Sequence, residues 1–363
     1  MGFLLRLLQD MSTLESGGRS QASPSWDCGQ SFCVRGLPIK CQLHSLLLPL
    51  EQKSEVLSHN SDSLLLRMAS QPLVERLELK MIHGIPMVHY FANNFDKVER
   101  FQARPDDLLI STYPKSGTTL LSEIVEMLYH DGDTEKCGRD VIARRVPFID
   151  LAIPGEETGA QLAARTPSPR ILKTHLPVQL VPKSFWEKNS KMIYVARNAK
   201  DVVVSFLHFY TISKVLPEPG TWQEFLDKFM AGKVSYGSWY NHVKDWWEKA
   251  QSNPRILYMF YEDMLKDPRR EIRKVATFLG KDLDDELLEK TVSHTSFKKM
   301  KANPMVNYDG GYRIVVDISL GPFMRKGVAG DWKNYFTVAQ NERFDEDYAR
   351  QMSGSTLHFC TED

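Results

Sequence analysis

Tyr113-Pro114-Lys115-Ser116-Gly117-Thr118-Thr119 constrains this chain more than any other stretch. The apolar run Asp107-Leu108-Leu109-Ile110-Ser111-Thr112 precedes it, and residues 120–128 follow with helical spacing. A strand, a tight turn and a helix opening with hydroxyls and a lysine make a phosphate cradle. Free N–H groups at the helix start face an anion, and the helix dipole favours negative charge there. Gly117 allows close backbone approach. A nucleoside triphosphate loop places lysine after its second glycine, as Gly-x-x-x-x-Gly-Lys-Ser/Thr. Here lysine precedes glycine and the first glycine is missing, so the turn is an anion cradle but not a Walker A loop.

The rest of the chain supplies a sheet for that turn. Strand-like runs at 108–111, 170–174, 192–196 and 256–260 alternate with helix-like runs at 117–130, 200–213, 222–231, 236–250 and 268–279. Thr221-Trp222-Gln223-Glu224 is a capping box, and Pro268 suits a first helical turn. Short apolar strands between helices predict an α/β fold: a single domain with a central parallel sheet flanked by helices and a P-loop-like strand-loop-helix. Ligands of such folds sit at the carboxyl ends of the strands. Residues 1–67 differ, with Ser, Gly and Gln clustered and no sustained period. They are expected to be a disordered extension or an alternative-start product, ahead of a catalytic domain over 68–363.

Charge and cysteine usage exclude several classes. The 363 residues carry 46 basic and 46 acidic side chains, a formal net charge of zero. A general nucleic-acid binder would carry a basic excess, so no nucleic-acid partner is expected. The five cysteines are odd in number and form no Cys-x-x-Cys, which argues against zinc and a secreted disulfide framework. No run approaches the roughly 18 apolar residues of a membrane span. Arg6 stands where a myristoylation signal wants Ser or Thr. A cytoplasmic protein without a membrane partner is the expectation.

Three further constellations fall at strand ends. In Lys173-Thr174-His175-Leu176-Pro177, His175 is the residue type that accepts protons near neutral pH. In Val195-Ala196-Arg197-Asn198-Ala199-Lys200-Asp201, Arg197 closes a strand, and Ser205 lies about two turns along the next helix. A guanidinium fork and a hydroxyl suit a dianionic phosphate. Pro322-Phe323-Met324-Arg325-Lys326-Gly327 is a basic loop able to close over another. Taken singly, each has an ordinary reading: a structural histidine, an Arg197–Asp201 salt bridge, a packing serine, a solvated turn. Together they describe a nucleotide donor with two anionic groups and a proton-accepting base. Phosphoryl and sulfuryl transfer both fit.

The ordered set closely resembles the cytosolic sulfotransferases of the phenol-type family 1. The resemblance runs from about Ile82 to Asp363. It rests on Arg104-Pro105-Asp106-Asp107, Tyr113–Thr119, Lys173–Pro177, Ala196–Asp201, Phe260-Tyr261-Glu262-Asp263 and Arg325-Lys326-Gly327. It implies 3′-phosphoadenosine 5′-phosphosulfate as donor, a small phenolic or aromatic acceptor, and no metal. Residue by residue, it implies that Lys115, Ser116, Gly117, Thr118, Thr119 and Leu120 hold the 5′-phosphosulfate, with Lys115 at the leaving oxygen. Arg197, Ser205, Arg325, Lys326 and Gly327 would hold the 3′-phosphate. Tyr261, Thr295, Ser296, Phe297, Lys298, Lys299 and Met300 would line the adenine side. His175 would take the acceptor's proton, with Lys173 beside the transferring group. Phe91, Phe148, Phe209, Tyr308 and Met324 would wall the acceptor. Lys333-Asn334-Tyr335-Phe336-Thr337-Val338-Ala339-Gln340-Asn341-Glu342 matches the family's dimer motif and implies a homodimer.

Some positions depart from the family. Leu120 stands where a tryptophan usually stacks on adenine. Ala143 and Val315 fall where relatives often place aromatics, and Gly310-Gly311-Tyr312-Arg313-Ile314-Val315 is unusual. A wider acceptor site follows. The competing classes are a nucleotide kinase with a variant loop, which would need magnesium, and a catalytically weak donor-binding protein.

Overall fold

The computed structural model describes residues 74–308 and 314–359. The expected boundary at 67/68 and the Gly310–Arg313 segment lie outside the described residues. The described chain opens with an antiparallel hairpin of β1 (Lys80–Ile82) and β2 (Ile85–Met87).

The central sheet has four parallel strands: β3 (Leu108–Thr112), β4 (Ile171–Thr174), β5 (Lys191–Ala196) and β6 (Ile256–Phe260), in the order β4-β3-β5-β6. All five residues of β3 are buried, because helices cover both faces. Alternation divides its side chains between two apolar layers. Leu109 packs with Val202, Trp239 and Trp246. Leu108 and Ile110 pack with Ile124, Val125 and Val275. At the amino end of the sheet, the buried Arg170 donates Nε–H to Asp107 Oδ1 at 2.7 Å. Arg170 thus stands just before β4, not within it.

Register explains where the site falls. Ser111 pairs with Thr174, Thr112 with Val195, and Ala196 with Phe260. The carboxyl ends are therefore level, and Tyr113, His175, Arg197 and Tyr261 all emerge at one end. Chain order reverses at β3, whose neighbours β4 and β5 run off on opposite sides. That is the switch point where open α/β sheets bind ligands.

The helices largely follow the sequence pattern. Thr118–Tyr129, Ala199–Ile212, Trp222–Met230, Trp239–Gln251 and Pro268–Leu279 are helical. The capping box at Thr221 forms, with Thr221 Oγ1 accepting from Glu224 N. Pro268 opens its helix while Asp267 caps it. The helix expected from 236 begins at Trp239, because Tyr236 and Gly237 have φ of +70° and +76°. Neither conformation continues a right-handed helix. The Asp285–His294 and Phe297–Ala302 helices reach the cavity through Val292, Phe297 and Met300, and Val338–Met352 is a further helix near the carboxyl end.

Candidate active site

Gly117 is the pivot of the cradle. It caps the Thr118–Tyr129 helix at φ +106° with no side-chain cap. A Cβ there would lie 2.6 Å from Tyr261 Cδ2, so only glycine fits. The helix's first N–H groups are left facing the cavity, as an anion site requires. Ser116 Oγ, buried within the turn, has no hydrogen-bond partner. Thr118 Oγ1 sits 2.7 Å from Thr112 Oγ1, which ties the helix start to β3.

Arg197 is not paired with Asp201. Its Nη1 donates to the Lys115 carbonyl at 3.1 Å and its Nη2 to the Val328 carbonyl at 3.1 Å. The guanidinium lies 4.5 Å from the Tyr261 ring centroid. Its Nε is buried without a partner. Asp201 instead accepts N–H from Gly330 at 2.7 Å and Trp332 at 3.1 Å, anchoring the far end of the basic loop. Within that loop Arg325 and Lys326 share Asp331, each at 2.5 Å. Gly327, at φ +68°, packs so closely on Phe297 that a Cβ would overlap the ring. An unpartnered Nε on Arg197, with Gly117 and Gly327 leaving no room for side chains, fits an anionic donor.

His175 Nδ1 lies 2.8 Å from the Thr112 carbonyl oxygen. A carbonyl only accepts, so Nδ1 carries the hydrogen and Nε2 keeps its lone pair. Phe148 and Tyr236 set their rings edge-on to the imidazole at 5.0 and 5.5 Å. Burial first, then the charges of Lys173, His242 and Lys115, bring the imidazole pKa down to about 3, against the Thr112 bond. The ring is neutral at physiological pH.

Both lysines rest on aromatic groups. Lys115 Nζ is 4.0 Å from the Phe323 ring centroid and 4.6 Å from that of Phe209. Its pKa is pulled down to about 7, chiefly by burial and then by the Arg197 and Arg325 charges. Lys173 Nζ donates to Tyr308 Oη at 3.2 Å, and the Tyr308 ring lies tilted against Phe323 with centroids 4.2 Å apart.

Lys115, Gly117, Thr118, Thr119, Lys173, His175 and Arg197 line a cavity of about 460 Å³, whereas Ser116, expected at the donor, does not. Cations gather at its donor end: Arg197 with Ser205, Arg325 and Lys326. Phe91, Phe148, Phe209 and Met324 form its apolar end. Thr295, Ser296, Phe297 and Met300 also reach it, together with Leu120. Lys298 and Lys299 do not line it. They lie exposed on the other side of the Phe297–Ala302 helix, and Lys299 Nζ bonds Ser293 Oγ at 2.6 Å. Ala143 is buried away from the cavity, whereas Val315 lines it. Sequence reasoning missed Phe323, Ser235 and Tyr236, which also line the wall. Phe323 had a signal, an aromatic two residues before the Arg325-Lys326 pair. Tyr236 had none, since its place depends on a left-handed turn.

Fold and cavity together define an α/β transferase in which one cavity holds an imidazole, an anion cradle and an aromatic chamber. A family model described as "Sulfotransferase domain" matches residues 105–356. Sulfotransferase 1B1 of Canis lupus familiaris is 57% identical over 288 residues, 79% of this chain and 97% of that protein. Sulfotransferase 1 family member D1 of Mus musculus is 57% identical over 289 residues, 80% and 98% of the two chains. Among solved structures, retinol dehydratase in a complex with retinol and PAP aligns with TM-score 0.68 and 28% identity, covering 76% of this chain and 90% of that one. Mouse sulfotransferase SULT7A1 complexed with PAP aligns with TM-score 0.63 and 33% identity, covering 76% and 95%. The chain belongs to the sulfotransferase family. It is an enzyme that sulfates small acceptors with 3′-phosphoadenosine 5′-phosphosulfate as co-substrate. The kinase reading is not favoured. Among the described residues, no group of three or more His, Cys, Asp or Glu is arranged to hold a metal, and no helix is long and apolar enough to cross a membrane.

Proposed function

We propose that the enzyme sulfates phenolic hydroxyls, or the amines of small aromatic acceptors, with His175 as general base. The carrying observation is the Nδ1–H bond to Thr112, which leaves Nε2 with its lone pair beside the cavity. A phenol has a pKa of about 10, so its proton must leave as the oxygen attacks. Nε2 accepts it. The donor supplies a sulfuryl group whose bond to the phosphate oxygen breaks as the new oxygen–sulfur bond forms. Lys115 places positive charge where that leaving oxygen gains electrons, and Lys173 does so beside the group in transfer. Arg197 and Ser205, with Arg325, Lys326 and Gly327, bind the 3′-phosphate. Gly117 through Leu120 hold the phosphosulfate. Tyr261 and Thr295–Met300 flank the adenine, with Lys298 and Lys299 contributing no more than charge nearby. Phe91, Phe148, Phe209, Tyr308 and Met324 present flat apolar walls to an aromatic acceptor.

The assembly we propose is a cytoplasmic homodimer through Lys333–Glu342, with residues 1–67 an extension outside the catalytic domain. Val338, in the middle of that segment, is 76% exposed and so free to meet a partner. The catalytic reading is tested by turnover of the phosphosulfate donor, without added metal, across phenols, catecholamines, steroids and hydroxyarylamines. Donor consumption with a phenol preference supports it. Turnover of ATP with magnesium instead would overturn it.

A further inference from the structure

Asp150 is 2% exposed, does not line the cavity, and is surrounded by donors. Thr174 Oγ1 donates to its Oδ1 at 2.6 Å. The backbone N–H of His175 donates to Oδ2 at 2.9 Å, and Tyr236 Oη donates to the same oxygen at 3.1 Å. Thr174 Oγ1 already accepts the Leu176 N–H at 3.0 Å, which turns its hydrogen toward Asp150. Three donors converge on one buried carboxyl, the arrangement that suits a carboxylate. Burial works against it and lifts the pKa to about 7.

The placement follows from the sheet. Residues 147–150 run beside β4 as an added parallel segment. Lys173 N bonds the Pro147 carbonyl at 2.9 Å, and Ile149 N bonds the Lys173 carbonyl at 3.0 Å. Phe148 thus pairs with Lys173, and two residues on, Asp150 comes level with His175. The same pairing sets the Phe148 ring against the imidazole. Tyr236 joins the two sides, bonding Asp150 through its hydroxyl and resting its ring on His175.

We propose that Asp150 is the positioning residue for His175, fixing the peptide and the flanking rings of the base and supplying the negative charge that offsets the imidazolium. This rests on His175 being the general base. The need is plain from the surroundings. Lys115 and Lys173 both disfavour a proton on His175, and so does burial. As Nε2 takes the acceptor's proton, a carboxylate one peptide unit away in a water-poor interior lowers the energy of the charge formed. Asp150 touches neither donor nor acceptor, so its influence is expected in proton transfer and not in binding.

Asp150→Asn keeps the shape and removes the charge. Asp150→Glu keeps the charge, and Tyr236→Phe removes one of the three donors. Each is assayed for kcat with phenols of graded acidity, from unsubstituted phenol to p-nitrophenol, and for PAP affinity by calorimetry. For Asp150→Asn we expect kcat with phenol to fall on the order of 10- to 100-fold, short of the full worth of a general base. The loss should shrink toward p-nitrophenol, whose proton leaves more easily, while PAP affinity stays unchanged. Asp150→Glu should recover part of the loss, and Tyr236→Phe should show a smaller loss with the same dependence on acidity. Equal losses across all phenols, or none, would overturn the proposal, whether or not Asp150→Asn melts earlier. If Asp150→Asn fails to fold, the Tyr236→Phe series decides by the same criterion. His175→Asn separates the two readings. If it stays active, the base assignment itself fails. If it is inactive while Asp150→Asn matches wild type, only the role of Asp150 fails.

Discussion

Arg197 donates through Nη1 to the Lys115 carbonyl oxygen at 3.1 Å, binding the end of β5 to the turn after β3. The residue that follows β5 thereby braces that turn, and its own Nε has no partner. Losing Arg197 should cost donor affinity twice, through the missing charge and through a looser turn. A hydrogen bond to a charged group is worth about 1.5–3 kcal/mol. Arg197→Ala should therefore weaken PAP binding by roughly 10- to 100-fold, read by calorimetry. Arg197→Lys should restore little, because an ammonium cannot bond Lys115, Val328 and an anion from one plane. An unchanged dissociation constant in Arg197→Ala would remove this arginine from the donor site.

His175→Ala should separate chemistry from binding. The base is worth about 10²–10⁴-fold, so kcat should fall by at least that lower factor. PAP affinity should hold, since no donor contact is assigned to the imidazole. Initial rates and calorimetry on the same preparation check both halves. Near-normal turnover would show that the proton leaves by another route.

The sequence showed the sheet and the cradle because both depend on local pattern. Leu108-Leu109-Ile110 is an apolar run, and Gly117 follows at a place where a side chain has no room. It showed His175 and Arg197 because strand ends are short, and whatever follows them is presented at the crevice. It could not show how residues far apart in the chain meet. The Arg197–Asp201 pairing looked natural at helical spacing, yet the loop at 330–332 brought backbone N–H groups that claimed Asp201 instead. Lys298 and Lys299 read as part of a binding stretch, and helix phase turned them outward while Phe297 and Met300 faced in. Tyr236 was hidden because a positive φ is a property of the folded turn, not of residue type.

Gly117→Ala tests the cradle by geometry alone. At φ +106° an L-residue is strained, and the added methyl would meet Tyr261 at 2.6 Å. The strain should cost about 1–2 kcal/mol of stability, seen as a lower melting temperature. Tyr261, whose ring lies 4.5 Å from the Arg197 guanidinium, would have to shift, so PAP affinity should fall as well. A variant that melts earlier but binds PAP normally would separate this glycine from the donor site.

Val338→Glu tests the proposed dimer. The side chain is 76% exposed, so in a monomer the change should be neutral. At a two-fold contact it would set two carboxylates face to face, with like charges opposed across the axis. Sedimentation velocity should show the wild type near twice the chain mass and Val338→Glu shifted toward one chain. A wild-type protein that sediments as a single chain would end the proposal.

Lys115 should make donor binding depend on pH above neutrality. Its pKa is near 7 in the free protein, lowered chiefly by burial, against 10.5 for an ordinary lysine. The unfolded chain therefore holds the extra proton between those values. Stability from this group is present above about 10.5 and lost as pH falls through about 7. Binding runs the other way, because an anion at the ammonium raises the pKa again. Between pH 7.5 and 9 the free enzyme has mostly lost this proton, and PAP must bring it back. Affinity should therefore fall as pH rises, with a slope of up to about tenfold per unit for one linked proton. Lys115→Met removes that proton. Its affinity should be weaker at pH 7 and nearly flat across the same range, while titration of PAP itself affects both proteins alike. Calorimetry in buffers of different ionisation enthalpy counts the proton directly: uptake near one for wild type at pH 8, and near zero for Lys115→Met. Equal uptake in the two proteins would mean that Lys115 already carries its charge before the donor arrives.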